Sequence, residues 1–342
     1  MISIRKIGVV GRTYRNLNRY RQILAVFFKY GFDDIIELLK IDQYIEIGLQ
    51  VLTASKRSAA APHKHTRAER VRLAVEELGP TYIKLGQLLS TRSDLIQPIY
   101  IEELAKLQDE VHPFSFEEVR GVFQSEFQRP PEEIFEMFVP KPFASASIGQ
   151  VHKARTREGE IVAVKVQRPG IKQLIEVDIE IMLHLATLME RNIEEFAFHR
   201  PIKIVEEFAR SIEKEIDYPI EAGHIERFDR QFLANPNVYV PKVFREITTE
   251  RILTMEFVKG IKVSKVAELA AAGLDKCRVV DLGADLLLQQ VFDHGFFHAD
   301  PHPGNILVLP GHVICLLDFG MMGTIDRQAK KAFIDLIYGA VR

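Results

Sequence analysis

His298-Ala299-Asp300-Pro301-His302-Pro303-Gly304-Asn305, followed thirteen residues later by Asp318-Phe319-Gly320, is the stretch on which the reading of this chain turns. Between the two strings, Ile306–Leu309 and Val313–Leu317 are short apolar runs flanking Pro310-Gly311, which is the pattern of a hairpin. An Asp, an Asn five residues on and a second Asp at the far end of a hairpin match the spacing of a phosphotransferase catalytic loop. In such a loop Asp300 orients or deprotonates the acceptor hydroxyl, while Asn305 and Asp318 hold Mg2+ against the nucleotide phosphates. The transferred phosphoryl is already reactive, so what the chemistry needs is positioning and charge neutralisation. His298 and His302 stand four apart like a metal pair. Pro301 and Pro303, however, bar the helix that would put both on one face.

Working upstream, Ile161-Val162-Ala163-Val164-Lys165-Val166 is a β-branched strand with one lysine in it, 135 residues before Asp300. A lysine buried on a strand is expensive to desolvate without a partner. In a kinase it finds one in the α- and β-phosphates and another in a helix carboxylate. Candidate carboxylates are Glu176, Glu180 and Glu190 on one long helical stretch (171–200), and Glu213, Glu215, Asp217 and Glu221 on the next (201–228). Just before the lysine strand, where a protein kinase shows Gly-x-Gly-x-x-Gly, stands Phe143-Ala144-Ser145-Ala146-Ser147-Ile148-Gly149-Gln150-Val151. Small side chains still let backbone N–H groups approach phosphate. Alanine lacks glycine's freedom at positive φ, so this loop is expected to be stiffer. No Gly-x-x-x-x-Gly-Lys-Ser/Thr occurs, which excludes a Walker-type NTPase.

The rest of the chain reads as helices around a small sheet. Residues 15–55 have helical periodicity, 54–67 look like an exposed basic linker, and Arg67–Val111 is helical again, broken at Gly79-Pro80 and Pro98. Further helices are expected at Phe116–Phe127, from Pro131, and at Asp275–His294; Val238–Glu246 and Arg251–Val258 read as a strand pair. This order gives an α+β fold, not an alternating βαβ wheel. Two cysteines, Cys277 and Cys315, make no disulfide framework and point to a reducing compartment.

Charge is uneven: the net is −2 overall, yet residues 1–72 carry fourteen Lys/Arg against six acids. That basic leader, with Ile23, Leu24, Val26, Phe27 and Phe28 among its residues, could lie on an anionic membrane surface or be a helix packed on its own domain. No nucleic-acid motif accompanies the charge, so nucleic acid is not an expected partner.

Taken together, these strings resemble the UbiB/AarF family of atypical, protein-kinase-like ATP-binding proteins linked to ubiquinone biosynthesis. Lys84-Leu85-Gly86-Gln87 is similar to the family's Lys-x-Gly-Gln signature, Ala144–Gln150 to its alanine-rich loop, Val162–Gly170 to its strand lysine with Gln-Arg-Pro-Gly, Glu215–Tyr218 to its Glu-x-Asp segment, and His298–Asn305 to its catalytic loop. By itself, Lys84–Gln87 reads as a packed helix. The resemblance implies that Lys84 and Gln87 fold over a nucleotide cleft and exclude protein substrates, and that Glu215 pairs with Lys165. It also implies a hinge at Thr254–Val258 that reads adenine, with Met255 as gatekeeper and Glu256 and Val258 beside it. The implied architecture is a bilobal kinase-like fold: a leader (1–75), a helical extension (76–142), an N-lobe (143–258) and a partial C-lobe (259–342).

ATP and Mg2+ are the implied cofactors, and an isoprenoid lipid or quinone-pathway proteins the implied partners. The implied location is the bacterial cytoplasm, peripheral to or anchored at the inner membrane. No Ala-Pro-Glu follows Asp318-Phe319-Gly320, and the chain ends inside an apparent helix at Arg327–Val341. The expectation is therefore almost no activation segment and a truncated C-lobe, with further helices and a membrane anchor beyond. Two alternatives stand beside an atypical kinase or ATPase: a small-molecule phosphotransferase, and a lipid-binding scaffold gated by nucleotide without phosphotransfer.

Overall fold

A computed structural model describes residues 13–39, 65–107, 113–299 and 301–341. Helices α1 (Thr13–Lys29), α2 (Asp33–Leu38), α3 (Arg67–Leu78), α4 (Pro80–Ser90), α5 (Pro98–Leu104), α6 (Phe116–Phe127) and α7 (Pro131–Ile134) come first. Strands β1 (Met137–Phe138), β2 (Ala144–Ser145), β3 (Gly149–Arg155) and β4 (Ile161–Gln167) follow. Next come α8 (Ile171–Asn192), α9 (Glu194–His199), α10 (Pro201–Glu215) and α11 (Tyr218–Phe232), then β5 (Val238–Tyr239), β6 (Ile252–Glu256) and β7 (Ile261–Lys262). The remainder is α12 (Val266–Ala271), α13 (Lys276–Leu288), β8 (Phe296–His298), β9 (Ile306–Leu309), β10 (Val313–Leu316), β11 (Met322–Thr324) and α14 (Arg327–Val341). The mixture of helix and sheet is the one expected.

These elements form two units, each discontinuous in sequence: residues 1–113, 145–149 and 168–212 in the first, and 114–144, 150–167 and 213–342 in the second.

In the first unit, α1 lays Ile23, Leu24 and Val26 into the unit's own core, where each is buried. For these residues of the basic leader the packed-helix reading holds, while residues 1–12 and 40–64 of it lie outside the described residues. Arg19 on the same helix donates to Asp178 Oδ1 at 2.7 Å and to the Leu78 carbonyl at 2.6 Å, tying α1 to α8 and to the end of α3. Gly79, at φ +92°, turns the chain between α3 and α4. Inside α4, a Cβ on Gly86 would come within 2.4 Å of Leu107 Cδ1 and 3.2 Å of Val75 Cγ1, so only glycine lets this helix press against its neighbours. No described helix is long and apolar enough to cross a membrane.

In the second unit one sheet runs β1-β3-β4-β6 and another β5-β10-β9-β7. Val162, Val164 and Val166 on β4 pack with Phe123, Phe135 and Phe138, leaving Ala163 and Lys165 on the opposite face. β4 pairs antiparallel with β6, Lys165 opposite Leu253 and Ala163 opposite Met255. Phe257 N–H donates to the Ile161 carbonyl, and the chain then passes directly to β7 in the second sheet. The hairpin expected from Pro310-Gly311 forms as β9–β10, with Leu316 opposite Ile306.

Two expectations differ. The stretch 201–228 is not one helix, because in a continuous helix the Pro219 ring would clash with the Glu215 carbonyl. Instead α10 stops at Glu215 and α11 restarts at Tyr218 with the proline in its first turn. The strand pair 238–246 with 251–258 is likewise reduced to an isolated bridge, Val243 to Met255. Pro241 has no N–H to give a ladder, Arg245–Ile247 turns into a short 3-10 helix, and β5 pairs parallel with β10 instead.

Candidate functional site

The candidate site assembles in the second unit, on the face of β4 that carries Lys165. Lys165 donates to Glu221 Oε1 in a short contact, and its Nζ lies 3.9 Å from Asp318 Oδ1. Its ion-pair partner is therefore Glu221 on α11, one of the acids weighed on the second helical stretch, and not the expected Glu215. The break at Ile216-Asp217 is the reason, since α11 restarts there and presents Glu221 one turn in. Glu215 stays close: its Cγ would meet a Cβ on Gly320 at 3.5 Å, and its charge acts on Lys165. Gln167, which follows the strand lysine, donates to the Ile216 carbonyl at 2.8 Å and so satisfies the broken helix end.

Glu221 is 3 % exposed. Burial alone would push its carboxyl up and the Lys165 amine down, each toward the neutral form, and their contact opposes both. For Lys165, burial is outweighed by Asp318, Glu221 and Glu215, so the amine is held above its ordinary value and stays protonated.

The Asp318-Phe319-Gly320 main chain is held by side chains from three directions. His298 Nε2–H donates to the Asp318 carbonyl, His224 Nδ1–H donates to the Phe319 carbonyl at 2.9 Å, and the Phe319 N–H donates to Glu221 Oε1 at 3.3 Å. Asp318 Oδ1 accepts the Gly320 N–H at 2.9 Å. Phe319 is fully buried, in one apolar cluster with Met255, Phe228 and Phe296. Asn305 is brought alongside by the hairpin, its carbonyl accepting the Leu317 N–H at 2.9 Å. Lys165, Glu221, Asp318 and Asn305 are thus gathered from four separate elements.

The donors fit Mg2+ bound with nucleotide. An amide oxygen and a carboxylate are hard oxygen ligands, and Mg2+ is commonly held by one or two carboxylates plus substrate phosphates. Among the described residues, no three His, Cys, Asp or Glu side chains could hold a metal by themselves. Asp300 lies outside the described residues.

The other expected residues fall as follows. Met255 is buried, with Phe319 in its cluster. The Glu256 carboxylate accepts the Tyr239 hydroxyl at 2.7 Å, and Val258 is half-buried in the connection to β7. Ala144 is exposed and Val151 half-buried, both in the second unit. The Gln150 side chain is engaged elsewhere: Oε1 accepts the Phe114 N–H at 3.0 Å, and Nε2 donates to the Phe114 carbonyl at 3.2 Å and to His152 at 3.0 Å. Only its main chain is left for a ligand.

Ser145, Ala146, Ser147, Ile148 and Gly149 belong to the first unit, as a tight turn closed by Ala146 N–H to the Gly149 carbonyl at 2.8 Å. Ser147 and Ile148 are buried there. Lys84 and Gln87 are on α4 of that unit, both half-exposed, with Gln87 donating loosely to the Leu107 carbonyl at 3.5 Å. Sequence reasoning missed His224 and the structural work of Gln167 and His298. Pro219, which moves the pairing to Glu221, was the available signal.

Residues 106–342 match the family described as the ABC1 atypical kinase-like domain. An uncharacterized protein of Synechocystis is 43% identical over 278 residues, 81% of this chain and 47% of its own length. "Probable protein kinase UbiB" of Aeromonas salmonicida is 41% identical over 324 residues, 93% of this chain and 59% of that protein. The chloroplastic "Protein ACTIVITY OF BC1 COMPLEX KINASE 7" of Arabidopsis thaliana is 41% identical over 79% of this chain and 39% of its own. The chain spans about half the length of the curated relatives it matches. A Mycobacterium tuberculosis protein solved in complex with erythromycin is similar at a TM-score of 0.52 and 29% identity, over 78% of this chain and 69% of that one.

Proposed function

Because this chain belongs to the ABC1 atypical kinase-like family, we propose that it binds ATP with Mg2+ and works as an atypical kinase or ATPase supporting isoprenoid-quinone biosynthesis. The observation that carries the reading is the convergence of Lys165 on Glu221 and Asp318, with Asn305 bonded alongside. A cation held protonated in a largely buried setting suits the α- and β-phosphates. Asn305 and Asp318 would hold the metal, which supplies charge neutralisation during transfer. Asp300 would orient the acceptor hydroxyl or water, and Met255, Glu256 and Val258 would meet the adenine. Relatives named UbiB support the quinone assignment.

One observation favours a second reading, a nucleotide-gated lipid-binding protein without phosphotransfer. After Gly320 the chain enters β11 at Met322, pairs at once with β8, and begins α14 at Arg327. That leaves little segment on which a peptide acceptor could lie.

The test is thermal stabilisation by ATP with and without Mg2+. Asp318→Asn should abolish the Mg2+-dependent part, and an unchanged ATP response would contradict the proposal. Turnover to ADP, measured beside nucleotide-dependent lipid extraction from liposomes, separates the two readings.

A further inference from the structure

The helix that leads to the catalytic strand does not end as an α-helix. After α13, residues Gln289–His294 form a π-helical segment in which the Gly295 N–H reaches back to the Gln290 carbonyl. Such i→i+5 turns are rare and recur at functional sites. Gly295 then exits at φ +61°, where a Cβ would come within 2.8 Å of the Ile325 carbonyl oxygen, so the exit admits only glycine. The segment is gripped from outside by Asn235, which donates to Gln289 Oε1 at 3.1 Å, and by Lys330 on α14, which donates to the Phe292 carbonyl.

Inside this grip, Gln290 is 3 % exposed and its Oε1 accepts the His298 N–H at 2.8 Å. β8 pairs with β11 along one edge, where Ala299 N–H donates to the Met321 carbonyl. The His298 N–H goes instead to Gln290, and the His298 ring carries the contact onward to the Asp318 carbonyl. Gln290 is thus one residue removed from the main chain of the candidate metal-binding carboxylate.

We propose that Gln290 is a positioning residue for that carboxylate: it fixes the His298 main chain, and through the imidazole it fixes Asp318. The inference rests on the ATP–Mg2+ reading above and adds to it a residue that touches neither nucleotide nor metal. Partners of this indirect kind hold ligands in orientation, and their loss typically weakens metal affinity about 10- to 100-fold.

The experiment uses the full chain and a fluorescent N-methylanthraniloyl-ATP, titrated in Mg2+ and again in EDTA. Gln290→Met keeps the length and removes the acceptor; Gln290→Glu keeps an acceptor oxygen. Gln290→Met should weaken binding in Mg2+ about tenfold or more and leave binding in EDTA unchanged, while Gln290→Glu should recover most of the Mg2+ effect. An equal loss in both buffers would mark a merely structural role and overturn the proposal, as would a full Mg2+ response in Gln290→Met. Unmodified protein that gains nothing from Mg2+ would instead overturn the underlying reading. Should the variants not fold, hydrogen exchange on the unmodified chain decides: the His298 amide should exchange as slowly as core amides, and exchange at open-loop rates would refute the bond.

Discussion

Lys165 Nζ stands 3.9 Å from Asp318 Oδ1 while its hydrogen bond goes to Glu221, so one amine links a strand, a helix and the segment that follows strand β10. That shared position makes the amine sensitive to which carboxylate is removed.

Glu221→Gln should destabilise the protein by about 3–5 kcal/mol, because it leaves a buried ammonium without its closest counter-charge. Glu215→Gln should cost clearly less in urea unfolding. Equal losses would restore Glu215 as the partner. The pH signature follows from the raised Lys165 value: its stabilisation is full below the unfolded value of 10.5 and is lost as pH rises through the higher folded value. Glu221→Gln should move that alkaline loss to lower pH.

Gln150→Leu should destabilise by about 1–3 kcal/mol, because it removes the buried amide that bonds the Phe114 N–H, the Phe114 carbonyl and His152. Urea midpoints of the variant against the parent chain measure it, and a change within error would mean the buried network carries no weight.

Acid should weaken the fold through His152. The Val139 carbonyl can only accept, so His152 Nδ1 carries the hydrogen and Nε2 must accept from Gln150. Protonating Nε2 would set donor against donor, and burial already holds this ring below its ordinary 6.5. The unfolded chain then binds more protons, so the stabilisation is present above about 6.5 and falls away as pH drops through the folded value. His184 and His224 are lowered in the same sense, burial first. Urea midpoints should decline from pH 7 toward 5, more shallowly in His152→Asn.

Two glycine substitutions should have opposite signs. Gly260→Ala puts a Cβ 2.7 Å from Leu309 Cδ2 and 3.2 Å from the Val308 carbonyl oxygen, where the chain crosses between sheets, and should cost about 1–3 kcal/mol. Gly121→Ala, exposed inside α6 with nothing within 4 Å of the new Cβ, should stabilise by about 0.5–1 kcal/mol. Melting temperatures read both.

Ser115→Ala removes the reciprocal cap in which Ser115 Oγ accepts the Glu118 N–H and Glu118 accepts the Ser115 N–H, and should cost about 1 kcal/mol. Melting of the variant against the parent checks it.

What the sequence by itself determined is what short range controls. Pro310-Gly311 between two β-branched runs dictated the hairpin, and the hairpin alone sets Asn305 beside Asp318. Gly79, Pro80 and Pro98 placed the helix ends, and the alternation of Val162, Val164 and Val166 put Lys165 on the other face of its strand. Which carboxylate answers that lysine was decided only by tertiary structure. Glu215 and Glu221 sit fifty or more residues away on helical surfaces where most acids face water, and a helix break at Ile216-Asp217 chose between them. Gln290 and His224 are likewise ordinary letters in the chain, and the motifs that contain Gln150 and His298 do not tell which main-chain groups those side chains bond. Their roles come from main-chain groups that folding buries without a strand or helix partner, and such a demand exists only once distant segments have packed together.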